Sequence, residues 1–593
     1  MAGSIGVFFD PMSPLVRAIA FAVVFVPSLD AGAQAGRPPR PDADIGRRQQ
    51  DERKRIEESA TERPTQLTAP ESVPPPIDLS ALPSDTPCFV VRRLAWRNAP
   101  GEPDGAHVFP WLAKRLGPVQ GQCIGKRALE AIQTAANIAL IERGYLTSRV
   151  LIPEQSLASG VLTLAVIAGR VSVVRGVGIG WSRTVLPFYP GAIYNQRDVD
   201  QALESVRRLP GQGDTVLDVE PGAAPGESVI VLKPAGADSA LPAFERKRWH
   251  AAVGIDNYGL DATGRYTLNG TFSFDSPLHL YDQLTVSGAT NADWQSREHA
   301  SHSAAVNWNV PLGYASLFVN ASRSRYRLSV AGFEDPLRYT GDSAELNAGL
   351  AFVPFRSASA RTNAQVKLYR RYNHAYLNDT SLDYQFRDTV GYEATLSQTQ
   401  YVGLSVFSGG IGWRQTLAGV TRHPGTIVDE DAQNGRVWNG DTRVLTANAQ
   451  ALLPFAVGPT FLRYSAQFNV QHALTKLVPT DYFTIGTPYT VRGFDGQTTL
   501  AAESGWAWRN EIGMNVRGQT PFVALDAGQV SGPSARYLAG TVLVGAALGV
   551  RGLLPASSVA PIDYEATLGW PIAKPQSLRT GYPSLLLRAT TRF

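Results

Sequence analysis

The chain has 593 residues, 55 basic and 51 acidic, so its net charge is only +4. That balance gives no basis for nucleic acid as a partner, and a mean hydropathy of -0.11 excludes a bundle of membrane helices. Only 18% of residues are charged, glycine occupies 55 positions, and there are two cysteines and three methionines. Length alone suggests about four ordinary domains, but this composition leaves open the one membrane class that crosses with strands, the β-barrel.

The N-terminus reads as an export address. Ala18 to Val26 (AIAFAVVFV) is an apolar core too short to span a bilayer. Ala31-Gly32-Ala33 and Ala33-Gln34-Ala35 after it are small-x-small cleavage sites, so residues 1–35 are expected to be a signal peptide. Met12 offers a second start with a more ordinary basic segment, and the sequence decides neither the start codon nor the cleavage site. In residues 36–62, Asp42 to Glu62 consists of strong helix formers but has only Ile45 and Ile56 as large apolar side chains. A helix polar all round has nothing to bury in an ordinary core. Composition therefore favours a solvated arm over a helix lodged in a water-filled lumen. Seven prolines between residues 63 and 87 make the next segment an extended linker.

Residues 88–168 have the pattern of a small α/β unit. Cys88 to Trp96 is strand-like and Ala106 to Leu116 suits a short helix. Lys126 to Arg143 is a firm helix, with Leu129, Ile132, Ala136, Ala139 and Leu140 on one face. Gly144 stops it, and Val150 to Ile152 and Val161 to Ile167 follow as strands. The same β-α-α-β-β order returns in residues 169–240: a strand at Val171 to Val177, a helical turn around Val185, a helix from Gln196 to Leu209, and strands at Val216 to Val219 and Ser228 to Leu232. Repetition of one order predicts tandem modules. Cys88 and Cys123 both lie in the first. In an exported chain they most simply form one disulfide; two free thiols are the alternative. Such a bond would be worth roughly 3 to 4 kcal/mol. Two thiols without a histidine pair make no metal site.

From Trp249 to Phe593 the hydrophobic period becomes two. Tyr266, Leu268, Phe272 and Phe274 alternate with polar neighbours, as do Ala304, Val306, Trp308 and Val310. Leu585, Leu587 and Phe593 share one parity, with Arg588 and Arg592 on the other. Lipid-facing apolar residues beside lumen-facing polar ones give this pattern in a barrel, and sixteen strands would allow about 22 residues per strand and connection. Chemistry is absent from the motifs: there is no Gly-x-Ser-x-Gly, Gly-Lys-Ser/Thr P-loop, His-Glu-x-x-His or Cys-x-x-Cys. His299 and His302 are the closest histidine pair, and Asp429, Glu430 and Asp431 read as a wet loop. No catalytic residue, cofactor or metal is expected.

The ordered set of motifs resembles the two-partner secretion transporters (the TpsB family, haemolysin-activator type). It runs through Cys123-Ile124-Gly125, Arg143-Gly144-Tyr145-Leu146-Thr147-Ser148-Arg149-Val150, Gly169-Arg170-Val171, Asn195-Gln196-Arg197-Asp198-Val199 and Arg208-Leu209-Pro210. In the barrel it continues with Asp256-Asn257-Tyr258-Gly259, Val491-Arg492-Gly493-Phe494, Ser504-Gly505-Trp506-Ala507-Trp508-Arg509-Asn510-Glu511 and Leu525-Asp526-Ala527-Gly528. The resemblance implies two periplasmic POTRA (polypeptide-transport-associated) modules, 88–168 and 169–240, before a 16-stranded antiparallel transmembrane β-barrel, 249–593, in the outer membrane. It also reverses the reading of Asp42 to Glu62, now expected to be a pore plug at rest.

The implied partner is a secreted, unfolded passenger protein of the β-helical haemolysin or adhesin kind. It would be handled by a lipid-embedded monomer, with open edges of POTRA strands such as Val161 to Ile167 accepting the passenger by β-augmentation. The resemblance assigns a loop around residues 484–505 to the lumen, with Arg492 meeting Asp526 of the wall, Gly493 turning the tip and Phe494 packing it. Thr487 stands where the family usually has a second glycine, and Ala524 where it often has an aromatic. A barrel-assembly insertase would use the same loop motif but normally carries more modules, and a diffusion porin would need none.

Overall fold

The period-two region closes on itself. In this computed structural model, residues 77–98, 105–176, 182–234, 247–293, 299–330, 336–422, 438–554 and 561–593 are described. The signal segment, the polar segment Asp42 to Glu62, the linker up to residue 76, Val177 and the run Asp429, Glu430, Asp431 lie outside them. Sixteen strands, from Trp249–Asp256 to Ser584–Arg592, form an antiparallel barrel, with the two-residue strand Thr380–Ser381 as an added hairpin. Leu585, Leu587, Phe593, Val306 and Phe272 point outward and are exposed, as a lipid-facing parity requires. Barrel closure removes open sheet edges, which hydrocarbon would leave without hydrogen-bond partners.

The first and last strands meet over five register pairs, Arg588↔Asp256 to Arg592↔Ala252, and Phe593 and Ala251 exchange two further backbone bonds. Asn257 extends this short seam with its side chain. Its amide nitrogen donates to the Leu585 carbonyl at 2.8 Å, and its amide oxygen accepts from the Leu587 N–H at 2.8 Å.

Ahead of the barrel are two small modules. In the first, the helix Lys126–Glu142 buries Ala128, Ile132, Ala136, Ala139 and Leu140 against a three-stranded sheet. Val161–Ile167 is the central strand of that sheet, between Arg93–Asn98 and Arg149–Leu151. This corrects the expectation that it offers an edge, because both its ladders are occupied. Its alternate residues Leu162, Leu164 and Val166 are buried in one cluster with the helix. In the second module Glu227–Pro234 is central, between Arg170–Gly176 and Thr215–Pro221. Cys88 and Cys123 are joined, with Cα atoms 5.3 Å apart, beside the register pair Phe89↔Ile124.

The second module is fastened to one end of the barrel. Its helix Gln196–Arg207 starts at Asn195, whose side chain accepts from the Arg197 N–H at 2.9 Å. Arg208 after the helix donates to Asn309 Oδ1 at 2.5 Å and to the Tyr281 carbonyl at 2.9 Å. Burial lowers the Arg208 guanidinium to about 10, against the opposing pull of Asp275 and Asp282, so it stays charged at neutral pH. Tyr314 donates to Asp198 at 2.6 Å, Arg356 donates to Glu204 at 2.5 Å, and the Gly313 N–H donates to the Thr184 carbonyl. Turns 276–282, 313–314 and 357–359 therefore lie at the module end of the barrel, and the loop 474–503 at the other.

The Cys88–Cys123 bond closes a separation of 35 residues. Replacing both cysteines by serine is expected to destabilise the first module by about 3–4 kcal/mol. Hydrogen exchange across Lys126–Glu142 in the whole chain, compared with that of Gln196–Arg207, checks this: protection should fall in the first helix alone.

Candidate functional site

The loop between the strands Thr460–Ala473 and Ser504–Met514 folds into the barrel. Its limbs pair as a short ribbon, Phe483–Ile485 against Leu500–Ala502, and its tip is enclosed. Ile485, Val491, Phe494 and Leu500 cluster with Ala507, Val530 and Leu543 of the wall and with Leu578. Apolar residues on both loop and wall explain why this segment turns inward rather than into water.

Arg492 sits at the centre. Its backbone N–H donates to Asp526 Oδ2 at 2.9 Å, Nε to the same oxygen at 2.7 Å, and Nη2 to Oδ1 at 2.9 Å. Nη1 reaches Glu511 Oε2 at 2.6 Å and Nη2 also reaches the Asn510 carbonyl at 3.1 Å. The Asn510 N–H adds a further bond to Asp526 Oδ1 at 3.0 Å. The Asp526 side chain is fully buried and that of Arg492 is 6% exposed. A two-point fork between guanidinium and carboxylate fixes both distance and orientation. Glu511 also pairs with Arg551 of the next wall strand but one, so the fork belongs to a charge network.

Glycine makes the approach possible. Gly493 has φ +107°, and a Cβ there would lie 2.6 Å from the Trp570 carbonyl oxygen. On the wall, a Cβ at Gly545 would lie 1.9 Å from the Arg492 carbonyl oxygen, and one at Gly569 2.6 Å from the Gly493 Cα. Phe494 is fully buried beside them. The two departures from the resembled motif have local reasons. Thr487 is not in the left-handed region; the preceding Gly486 is, at φ +95°. The Thr487 carbonyl accepts from the Thr490 and Val491 N–H groups and its hydroxyl from the Tyr489 N–H, so a threonine turn does what a glycine pair would. Ala524 packs with Phe522, whose ring lies 5.8 Å from the Arg492 guanidinium, so the aromatic stands one pleat step away on the same face.

Sequence reasoning missed the second attachment. Asp481, on the descending limb, pairs with Arg371 at 3.0 Å and with Arg414 at 3.6 Å, and Arg371 also holds Glu345 at 3.1 Å. Glu345, Arg371 and Arg414 lie on three different strands and Asp481 on the loop, with 26 to 110 positions between bonded partners and no shared motif. Asp495 beyond the tip accepts from the Thr580 hydroxyl at 3.1 Å and from the Gly581 N–H at 2.7 Å. Gln497 bonds to the Gly259 carbonyl and accepts from the Asp261 N–H, and Tyr258 packs edge-on against Tyr489. Glu511 was inside a recognised motif; Gly545, Gly569, Asp481 and Asp495 carried no signal. His299 lies 3.3 Å from Asp293, and among the described residues no group of three or more His, Cys, Asp or Glu could hold a metal.

A barrel of this size, with periplasm-type modules at one end and a bolted inner loop, is the architecture of a polypeptide transporter. Residues 240–552 match the haemolysin secretion/activation protein family ShlB/FhaC/HecB, and residues 103–169 match the ShlB-type POTRA domain. The chain belongs to that family. It is 31% identical over 590 residues to the outer membrane transporter CdiB-2 of Burkholderia pseudomallei, covering 95% of this chain and 98% of that one. The haemolysin transporter protein ShlB of Serratia marcescens is 24% identical, with 74% and 79% covered. Among solved structures, CdiB from Escherichia coli superposes with a TM-score of 0.76 at 25% identity, covering 95% of this chain and all of that one. The protein is a two-partner secretion translocation pore in the outer membrane, its POTRA modules face the periplasm, and a secreted exoprotein is its passenger.

Asp481→Asn removes the carboxylate between Arg371 and Arg414. Its expected effect is to loosen the loop's descending limb while leaving the tip bonded. Hydrogen exchange should rise at Phe483–Ile485 and stay unchanged at Val491–Phe494, and conductance across planar bilayers should increase.

Proposed function

We propose that the Arg492–Asp526 fork is a lock that keeps the inner loop in the register needed for export. In this reading the protein takes an unfolded passenger of the haemolysin or adhesin kind from the periplasm and passes it outward as a monomer. What carries the reading is Asp526: a carboxylate with no solvent contact, whose neutralising cation comes from the loop and not from its own strand. Removing one partner of a buried pair typically costs about 3–5 kcal/mol, because the other charge is left without compensation. The fork adds a geometrically specific contact to the apolar packing of the loop.

The modules, assigned to 88–168 and 169–240, receive the passenger through sheet edges. The outer flanks of Arg93–Asn98 and Thr215–Pro221 support this, since neither strand has a second ladder among the described residues. By contrast Arg170–Gly176 is partly covered, through the bridge Arg170↔Ile193. Backbone pairing suits an unfolded client because it needs little side-chain specificity. The segment Asp42 to Glu62, which lies outside the described residues, is assigned the role of a plug by this reading on the strength of the family resemblance alone. No catalytic step is invoked; without a nucleotide-binding motif, energy comes from the passenger folding outside the cell.

Arg492→Ala and Asp526→Ala are each expected to give a folded barrel in the outer membrane and no passenger in the culture medium. Heat-modifiable gel mobility reports the barrel and immunoblotting of the medium reports export. Unchanged secretion by both variants would refute the lock.

A further inference from the structure

Among the described residues, outward-facing charge gathers on the neighbouring strands Ala315–Val330, Leu337–Arg356, Ala360–Leu377 and Arg387–Val402. On the strand Ala315–Val330, Leu317 and Val319 are exposed apolar residues, and the same parity continues through Ala321 to Arg323, Arg325 and Arg327. Arg370 stands at the same kind of position on Ala360–Leu377, above the exposed Val366 and Leu368. Arg323 and Arg325 are the ninth and eleventh residues of their strand, and Arg370 is the eleventh of its own. A transmembrane β-strand needs about 9–11 residues to cross the hydrocarbon. Both strands begin at the module end, so these guanidinium groups emerge at the far boundary of the apolar belt, in the outer leaflet's headgroup layer. The strands on the other side of the barrel differ: Gln519–Ser531 shows Val523, Leu525, Ala527 and Gln529 outward, and Val542–Leu554 shows Val544, Ala546, Leu548 and Val550.

Cation is in excess within the patch. Arg323 and Arg325 share one carboxylate, Asp342, at 2.5 and 3.3 Å. Arg370 pairs with Asp388 at 2.7 Å. The three arginine side chains remain 57%, 61% and 64% exposed. Like charges two residues apart on one strand face repel, at a separation of about 7 Å. A purely structural pairing would not need both. Beside them Tyr372, His374 and Tyr376 form an aromatic shelf, with Tyr372 packed on Phe386 and both tyrosine hydroxyls within 3.1 Å of His374 Nδ1. Amphipathic rings at this level mark a membrane interface.

We propose that Arg323, Arg325 and Arg370 form a binding site for the phosphate groups of an anionic glycolipid in the outer leaflet. Guanidinium forks match phosphate oxygens in pairs. Arg370 lies two strands from Arg323 and Arg325, about 10 Å across the sheet, which leaves two anchoring points for a headgroup with two phosphates. The exposed Leu317, Val319, Val366 and Leu368 below would lie along its acyl chains. Asp342 then has a defined place: it holds the two arginine forks upright in the lipid-free state and competes with phosphate for them. Only the outer-membrane location is assumed, so the site and the export reading stand or fall separately.

The test uses the full chain purified in detergent micelles and titrated with bisphosphorylated lipid A, with the dephosphorylated lipid and inorganic phosphate as separate arms. The bisphosphorylated lipid should bind about tenfold or more tightly than the dephosphorylated one, with affinity falling as salt rises. The triple variant Arg323→Gln/Arg325→Gln/Arg370→Gln should lose that preference while keeping heat-modifiable mobility and export. Asp342→Asn should bind more tightly than wild type, which keeps the test decisive if the triple variant folds poorly. Equal binding of the two lipids, a triple variant that binds as wild type, weaker binding by Asp342→Asn, or full displacement by millimolar inorganic phosphate would each overturn the proposal.

Discussion

A carboxylate with no water is the constraint on which the rest of the site depends. Asp526 lies inside the barrel wall with no solvent contact, where an uncompensated charge is prohibitive. Its own strand supplies no cation. The neighbouring strand gives one N–H, from Asn510, and Arg509 comes no nearer than 3.9 Å. Arg492 supplies the remaining three bonds, so the wall is electrostatically complete only when the loop is folded inward. The glycines at 493, 545 and 569 follow from this requirement, because guanidinium reach alone does not bring two backbones into contact. The paired limbs, the buried Val491 and Phe494, and the Asp481–Arg371 attachment then hold the loop along its length rather than at one point.

The barrel and the modules are coupled by similar means at the opposite end. Arg208 is buried among barrel carbonyl and carboxamide groups, and Glu204 and Asp198 receive Arg356 from a strand end and Tyr314 from a turn. These contacts use charged and polar atoms on turns, where the hydrocarbon does not reach. The second module is thus presented in a definite orientation below the pore. The first and last strands close the barrel through five register pairs, the Phe593–Ala251 backbone bonds and Asn257.

Legibility in the sequence followed the range of the interaction. The alternation of Tyr266 to Phe274 and the helical face of Leu129 to Leu140 are local periodicities, and each became the expected element. The meeting of Arg492 with Asp526 was expected only through a resemblance, since nothing in a single chain relates positions 34 apart on a loop and a strand. Edge and centre were not legible at all. Val161–Ile167 reads the same in either place, and only strand order made it central. Thr487 shows the converse: a departure from the family pattern had an explanation one residue away, in Gly486 and in its own hydroxyl.

Low charge and abundant glycine left the barrel class open, and a period of two from Trp249 onward pointed to strands with one face to lipid and one to the lumen, because alternation is a local consequence of that exposure. The tandem module order and the cysteine pair were likewise set by local pattern and count. Which charges meet, which glycines clear a path, which strand has a free edge and which arginines gather at one boundary were decided only by closure of the barrel. Closure brings together residues hundreds of positions apart, through strand order and stagger that no local property of the chain encodes.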